Sequence, residues 1–356
     1  MVPLRVIGAG PCGSVAAISA LECGHSVHIY EQKETPGENV RCSGLISKEG
    51  LESLSGFTNY KKHALNKIRG AIFDCAGYKL KVDSGRDIAY VIDREGFDAS
   101  LAQKAQDEGA KLFCGKRALP PFGEGSIIGA DGPGSMVASH FGFPKIRRFA
   151  GTAQATIRHD GQFKDYVRVF LSNDKFPGFF GWVIPHNEEY AEAGVGCVLP
   201  SNPDAALDCL SRLIGTSIPK ERRYSVIPLE RRRKTALSAS RRNILLVGDA
   251  AGQVKSTTGG GVVFGTKCAK LAGKYATSPK DYENAWKALY GHDLDAHYQM
   301  HRALGRLSDS SLRAIGSIAS AFRVEEFLEK EGNMDSPMRM IWPGLLLHPI
   351  RTLVPK

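Results

Sequence analysis

The hydrophobic pattern at the start of the chain predicts a strand, a tight turn and a helix. An apolar run ends at Ile7, a glycine-rich turn follows, and small apolar residues fill positions 15–21. A second short apolar run covers residues 26–30. Strand, helix and strand in this order are typical of a βαβ unit in a parallel sheet.

Farther along the chain, segments with the apolar periodicity of strands are followed by segments with the periodicity of helices, and the reverse. Alternation of apolar and polar residues predicts antiparallel strands at 68–82, 166–170 and 190–198. Other patterns predict helices at 101–108, 259–275 and 304–327, and strands at 110–113 and 243–247. A parallel-sheet domain is therefore interrupted by a second, antiparallel sheet and followed by helices.

The turn after the first strand has the spacing of a dinucleotide-binding motif. Gly8 allows the tight turn, Gly10 lets the backbone approach a pyrophosphate, and Gly13 permits close helix packing. Pro11 opens the helix, whose N-terminus attracts phosphate. Glu31 ends the second strand and is placed to accept hydrogen bonds from a ribose diol.

A second glycine-rich segment, residues 248–261, fits the other end of the same ligand. Asp249 follows a buried-looking strand and is suited to hold a ribityl hydroxyl. The helix that opens near Gly260, Gly261 and Val262 would direct its N–H groups at the flavin ring, where they stabilise an anionic reduced flavin. The two segments together predict bound FAD.

These motifs give the fold class and a division of the chain. We predict an α/β protein with a Rossmann-type FAD-binding domain, an antiparallel β-sheet substrate domain inserted into it, and a helical C-terminal region. The predicted bounds are 1–66, 90–148 and 224–280 for the FAD domain, 67–89 and 149–223 for the sheet domain, and 281–356 for the helical region.

Composition narrows the class of protein. The 356 residues include 42% apolar residues and eight cysteines without a CxxC pair, which favours a globular protein in a reducing compartment. A strand begins too early for a signal peptide, and no run of 18 apolar residues occurs. No Cys/His cluster predicts a metal site. We expect a cytoplasmic protein, with the membrane surface as a second candidate location.

The net charge of +10 is compatible with an anionic partner. No nucleic-acid module accompanies the charge, so lipid headgroups rank above nucleic acid, for which we expect no role. The C-terminal stretch 338–351 mixes bulky apolar residues with Trp and Arg. It fits a segment that enters a bilayer interface, and it equally fits a tail that packs on the protein.

An interrupted nucleotide domain of this kind resembles the para-hydroxybenzoate hydroxylase group of flavoproteins and, more narrowly, the geranylgeranyl reductase family. The resemblance covers nearly the whole chain. It depends on the dinucleotide motif with Glu31 and on five further segments, at residues 41–44, 93–98, 129–132, 177–185 and 248–261.

The resemblance implies roles for further residues. Arg41, Arg94 and Asp131 match family positions near the cofactor. Cys42 matches a cysteine that faces the flavin and the substrate cavity, as a proton donor or as a residue that shapes the pocket. Its chain neighbour Arg41 is the cation expected to act on its thiol. The family's substrate-lining aromatic motif is matched by Phe179, Phe180 and Trp182.

Two departures from the family pattern stand out. Only residues 115–125 remain where many relatives have a longer β-excursion. Ser256 replaces the proline usual before Thr257, and Lys255 precedes it. Lys255 is therefore expected beside the flavin edge, with an effect on redox properties or substrate preference.

The family resemblance implies reduction of C=C bonds in geranylgeranyl chains of an isoprenoid lipid, with hydride from reduced FAD and a proton from elsewhere. An unactivated alkene must be held in an apolar cavity that excludes water. The reductant stays open between NAD(P)H and a ferredoxin-type electron-donor protein. Alternatives are a flavin monooxygenase, a menaquinone side-chain reductase, and a flavin-binding scaffold, which a cavity too small for a prenyl chain would favour.

Overall fold

The computed structural model describes residues 2–239, 242–332 and Asp335. Its first half contains a strand, a helix and a strand at the N-terminus, followed mainly by further strands with short helices between some of them. The strands are β1 Leu4–Ile7, β2 Val27–Tyr30, β3 Leu45–Ser47, β4 Ala64–Ile68, β5 Gly70–Cys75, β6 Tyr78–Asp83, β7 Ala89–Ile92, β8 Lys111–Phe113, β9 Ile127–Gly129, β10 Phe149–Arg158, β11 Tyr166–Leu171, β12 Gly181–Pro185, β13 Tyr190–Val198, β14 Arg223–Pro228, β15 Ala236–Ala239 and β16 Arg242–Leu246.

Helices follow the first strand and dominate the end of the described chain. They are α1 Pro11–Glu22, α2 Lys48–Glu52, α3 Arg94–Asp107, α4 Met136–His140, α5 Pro203–Ile214, α6 Val262–Lys274, α7 Pro279–Trp286, α8 His292–Leu304, α9 Asp309–Ala321 and α10 Val324–Glu331. A π-helical turn, Lys287–Gly291, joins α7 to α8. The predicted helical region is thus helical through α10, and its segment 338–351 lies outside the described residues.

The nucleotide-binding sheet has six strands in the order β15-β16-β9-β1-β2-β8. All its pairs are parallel except β15 with β16. Helices α1 and α6 pack against each other beside this sheet. Their close approach needs Gly273, because a β-carbon there would lie 2.5 Å from the carbonyl oxygen of Ala16. The predicted Rossmann-type domain is confirmed.

The second sheet has seven strands in the order β14-β10-β13-β12-β11-β5-β6. Its pairs are antiparallel except β5 with β11, which run parallel. That exception differs from the predicted antiparallel sheet. It has a physical reason, because β5 and β11 come from separate segments that no hairpin joins. A small third sheet has the strand order β3-β7-β4.

Two helices start at other residues than the periodic pattern predicts, and local contacts or backbone conformation explain the differences. Helix α3 starts at Arg94, seven residues before the predicted apolar face, because Asp93 caps it by accepting from the N–H groups of Glu95 and Gly96. Helix α6 starts at Val262 rather than 259, since Gly259 has a left-handed φ of 72°. The domain bounds stay a prediction, and the boundary at residue 66 falls inside β4. Within the described residues, no helix has the length and apolar character of a bilayer-spanning segment.

Candidate active site

The turn between β1 and α1 is built from three glycines with different surroundings. A β-carbon at Gly8 would lie 2.4 Å from the carbonyl oxygen of Ala130, and one at Gly13 would lie 1.9 Å from that of Gly8. Gly10 differs, because a β-carbon there would meet nothing within 4 Å. Its φ of −68° suits any residue. Gly10 therefore leaves an open approach to the N-terminus of α1, where Pro11 is the first residue.

Glu31 fixes this turn from the end of β2. Its side chain is 8% exposed and accepts hydrogen bonds from the backbone N–H groups of Ala9, at 2.8 Å, and Lys33, at 3.0 Å. Each carboxylate oxygen keeps a second acceptor direction. Glu31 can thus position the glycine turn and still accept from a ribose diol, the role that the sequence predicts.

Asp131 has a local structural role in addition to its predicted place near the pyrophosphate. Its carboxylate accepts from the hydroxyl of Ser135, at 2.6 Å, and from the N–H groups of Met136 and Val137, at 2.7 and 3.0 Å. These contacts cap α4 and compensate its unpaired N–H groups. A role of Asp131 toward the cofactor stays a prediction.

Asp249 lies where β16 gives way to α6. Burial raises the pKa of its carboxyl to about 6, although the Arg94 guanidinium opposes that shift. A β-carbon at Gly261 would lie 2.8 Å from its Oδ1, so the carboxylate stands directly at the start of α6, next to Gly260 and Val262. Among the described side chains none donates a hydrogen bond to it. A desolvated acceptor in this place fits a ribityl hydroxyl.

Arg94 is the cation that lies closest to this acceptor. It forms a two-pronged ion pair with Asp98, at 2.9 and 2.8 Å, and its guanidinium also contacts the thiol of Cys42. Burial opposes its charge, but Asp98 and Cys42 outweigh that effect and raise the pKa of Arg94. Cys42 is exposed. Arg94 therefore contacts Cys42 and its charge acts on Asp249, while the roles of Arg94 and Cys42 toward the cofactor stay predictions.

Arg41 is placed differently from Arg94. Its guanidinium is exposed and donates to the carbonyl oxygen of Tyr224 on β14, at 3.0 Å. The sequence suggests Arg41 as the cation that acts on the neighbouring Cys42 thiol, whereas the structure gives that contact to Arg94. The contacts of Arg41 lie with the seven-stranded sheet, and its predicted cofactor role stays a prediction.

Phe179, Phe180 and Trp182 form one aromatic surface on the seven-stranded sheet. The rings of Phe179 and Phe180 stack with centroids 4.4 Å apart, and those of Phe180 and Trp182 are 5.7 Å apart. Two glycines on β13 make room for them. A β-carbon at Gly194 would lie 2.4 Å from the Trp182 ring, and one at Gly196 would lie 2.2 Å from the Phe179 ring.

This aromatic surface reaches the cofactor-binding turn. A β-carbon at Gly259 would lie 3.4 Å from Cζ of Phe179. A cavity of about 40 Å³ lies beside Phe179, and its wall also contains Phe180, Thr257, His301, Leu304 and Leu312. An isoprenoid chain is larger than this cavity, so its entry requires these side chains to move.

Lys255 lies at the same turn and has a partner that sequence spacing did not show. Its Nζ lies 2.5 Å from Oδ1 of Asp335, and the Ser47 hydroxyl donates to the same carboxylate. Lys255 and Asp335 are 3% and 7% exposed. A β-carbon at Gly260 would lie 2.8 Å from Cε of Lys255. Lys255 thus lies beside the start of α6 and pairs with a residue beyond α10, and its predicted place at the flavin edge stays a prediction.

Glu192 on β13 is a second buried charge that the sequence did not single out. It is 1% exposed, accepts from Nε1 of Trp182 at 3.3 Å and pairs with Arg223 at 3.0 Å. Burial raises the pKa of Glu192 to about 7, while Arg223 and Trp182 act in the opposite direction. An alternating strand with a Glu on its buried face was the available signal.

The raised pKa predicts that Glu192 makes stability depend on pH. A carboxyl whose folded pKa exceeds its unfolded value favours the folded state in acid, and this advantage disappears as the pH rises through the folded pKa. One pKa unit corresponds to about 1.4 kcal/mol. Between pH 4 and pH 8 the free energy of unfolding of wild type should therefore fall by roughly 3 kcal/mol relative to that of Glu192→Gln. Urea unfolding of both proteins at these pH values measures it. Equal losses in the two proteins would contradict the pKa assigned to Glu192.

Comparisons with known proteins agree with this geometry. A family model described as an NAD(P)-binding Rossmann-like domain matches residues 6–61. A digeranylgeranylglycerophospholipid reductase from Methanothrix thermoacetophila is 29% identical, over 87% of this chain and 89% of that relative. A geranylgeranyl bacteriochlorophyll reductase-like structure from Thermoplasma acidophilum has a TM-score of 0.78 at 21% identity, over 97% and 99% of the two chains. A probable FAD-dependent monooxygenase from Pseudomonas aeruginosa has a TM-score of 0.67 at 15% identity, over 90% and 99%.

The glycine turn, the acceptor at the start of α6 and the interposed aromatic sheet define an FAD-dependent oxidoreductase. The residues present fit FAD, since Gly10 opens one end of the site and Asp249 offers an acceptor at the other. Within that class, the chain is similar to the geranylgeranyl reductase family. The family resemblance predicted from the sequence is confirmed.

Proposed function

We propose that the protein saturates C=C bonds in geranylgeranyl chains of membrane lipids or their precursors. The proposal depends on one observation, the close approach of the Phe179 ring to Gly259. This approach puts the apolar aromatic surface next to the predicted cofactor site. Several similar proteins are named digeranylgeranylglycerophospholipid reductases. The small cavity at this surface would suit a scaffold without substrate, but the names of these relatives favour the reductase.

The chain's own residues support this chemistry in distinct ways. FAD, when bound, supplies the electrons for saturation of the alkene. Phe179, Phe180 and Trp182 hold an apolar chain and keep water away, which alkene reduction requires because the substrate offers no polar group near the reacting carbons. Cys42, in contact with Arg94, is the proposed proton donor. Gly10, Glu31 and Asp249 hold the cofactor.

An anaerobic measurement tests the function. The purified protein is loaded with FAD, reduced with dithionite and mixed with a geranylgeranyl lipid, and flavin absorbance is followed together with product mass. We expect the flavin to reoxidise and the product to gain about two mass units per double bond, the mass of the added hydrogen atoms. A flavin that stays reduced until oxygen is added, with a hydroxylated product afterwards, would establish the monooxygenase instead.

The electron donor and the membrane contact are further parts of the proposal. Either NAD(P)H or a ferredoxin-type protein would serve as the reductant. For the membrane contact we propose helix α9 with its C-cap, where Ile315, Ile318 and the C-cap residue Phe322 are 47%, 56% and 63% exposed. Their spacing of three and four residues puts them on one stripe of the helix. A menaquinone side chain, which is also isoprenoid, is the alternative substrate that the same cavity would accept.

A further inference from the structure

A row of polar side chains crosses the sheet face that carries the aromatic surface. Strand register pairs Arg223 with Gln154, Gln154 with Gly194, and Gly194 with Trp182. Residues paired directly across neighbouring strands point to the same face of a sheet. Gln154 and Arg223 therefore lie on the face of Trp182, and the Trp182 ring extends over Gly194 toward them.

This row contains hydrogen-bonding groups that its neighbours do not use. Glu192 links the ends of the row, because it accepts from Trp182 and from Arg223. Gln154 is 3% exposed, yet its amide nitrogen has no hydrogen-bond partner among the described residues. Buried donors are nearly always paired with protein or ordered water, so an unpaired one on this face is available to an acceptor of a ligand. Arg223 keeps 44% of its side chain exposed and retains free donors.

We propose that Gln154 and Arg223 bind the oxygen-bearing head of the lipid substrate, with the isoprenoid chain lying along Trp182 and Phe180. The inference rests on the proposed function. An isoprenoid chain has no hydrogen-bond acceptor, so within the lipid substrate the acceptor for Gln154 is an ether or phosphate oxygen of the head. The Arg223 guanidinium is partly exposed, so it can pair with a phosphate group while both charges keep part of their contact with water.

A groove of about 670 Å³ beside α9 is the other place where a head could bind. It contains two cations, Lys175 and Arg313, but also two carboxylates, Asp174 and Asp309. Lys175 lies 3.9 Å from Asp309, and Arg313 donates to the carbonyl oxygen of Ala76. Charge in this groove is already balanced, which makes it a suitable control site.

The test compares two substrates in matched variants. One is digeranylgeranylglycerol phosphate, and the other is the hydrocarbon with the same unsaturated chain and no oxygen. We expect Gln154→Leu to lower the ratio of kcat/KM for the phosphate lipid to that for the hydrocarbon by about tenfold or more, since it removes the donor to the head. Gln154→Asn, which keeps the amide on a shorter side chain, should lower the ratio less, and it provides the answer if Gln154→Leu does not fold. The double variant Lys175→Met with Arg313→Met should keep the wild-type ratio.

The outcomes separate this inference from the proposed function. If wild type reduces both lipids, and if Gln154→Leu and Gln154→Asn both keep the wild-type ratio of kcat/KM values, the head does not bind here and the inference is wrong. A ratio that falls in the groove variant instead places the head beside α9. If wild type reduces neither lipid, the proposed function is wrong, and this inference with it.

Discussion

Replacing Gly10 by Val should abolish tight FAD binding while leaving the apoprotein folded. The backbone at Gly10 has an ordinary φ of −68°, and a β-carbon there meets no protein atom within 4 Å. A valine side chain would occupy the space through which a pyrophosphate approaches the N-terminus of α1. We expect FAD affinity to fall by about 1,000-fold, roughly 4 kcal/mol. Titration of apoprotein with FAD, followed by flavin fluorescence, measures the change.

Gly13→Ala is the matched control, because its β-carbon would lie 1.9 Å from the carbonyl oxygen of Gly8. That variant should lose folding stability as well as FAD, since α1 must shift away from the turn. Thermal unfolding of both apoproteins distinguishes the two cases. An unfolded Gly10→Val, or one that binds FAD with wild-type affinity, would show that the open side of the turn is not the cofactor's approach.

Replacing Asp335 by Ala should destabilise the protein by about 3–5 kcal/mol, the usual cost of removing one partner from a buried ion pair. Lys255 is 3% exposed and would lose this counter-ion. The double variant Lys255→Met with Asp335→Leu should recover most of the stability, because it leaves neither charge buried. Urea unfolding gives the three free energies. If the single and the double variant lost the same free energy of unfolding, the unpaired charge of Lys255 would not be the cause of the destabilisation.

The same pair predicts a loss of stability in acid. Burial alone would raise the pKa of Asp335, but the Lys255 ammonium and the Ser47 hydroxyl lower it below its ordinary value. A carboxyl with a lowered folded pKa stabilises the protein above its unfolded pKa, and that contribution disappears as the pH falls through the folded value. Wild type should therefore lose more stability than the double variant below about pH 4. If the free energy of unfolding fell equally with pH in wild type and in the double variant, the lowered pKa of Asp335 would be contradicted.

The sequence predicts those parts of the site whose reasons are local. The spacing of Gly8, Gly10 and Gly13 follows from the needs of one turn, and the structure gives each glycine a distinct reason. Strand alternation likewise predicts β11 and β13 within a few residues. Where a local exception applies, as with the left-handed φ at Gly259, a periodic pattern places the helix start too early.

The remaining contacts join distant segments, and their partners cannot be found from spacing. Lys255 was expected beside the flavin, but its partner Asp335 comes from beyond α10. Cys42 was given Arg41, its chain neighbour, whereas Arg94 reaches it through the fold. Glu192 is an acid in an otherwise apolar strand, and only the packing of Trp182 and Arg223 around it explains its place.

The interrupted nucleotide domain also constrains how the protein is made. Strand β16 pairs with β9, although strands β10 to β14 of the seven-stranded sheet lie between them in the chain. Helix α6 packs on α1, although that whole sheet lies between these two helices in the chain. During synthesis the first βαβ unit therefore emerges long before its partners β16 and α6. The nascent chain cannot complete a site for its cofactor until Val262 and the helix after it have left the ribosome. Until then α1 lacks the helix that packs against it in the folded protein.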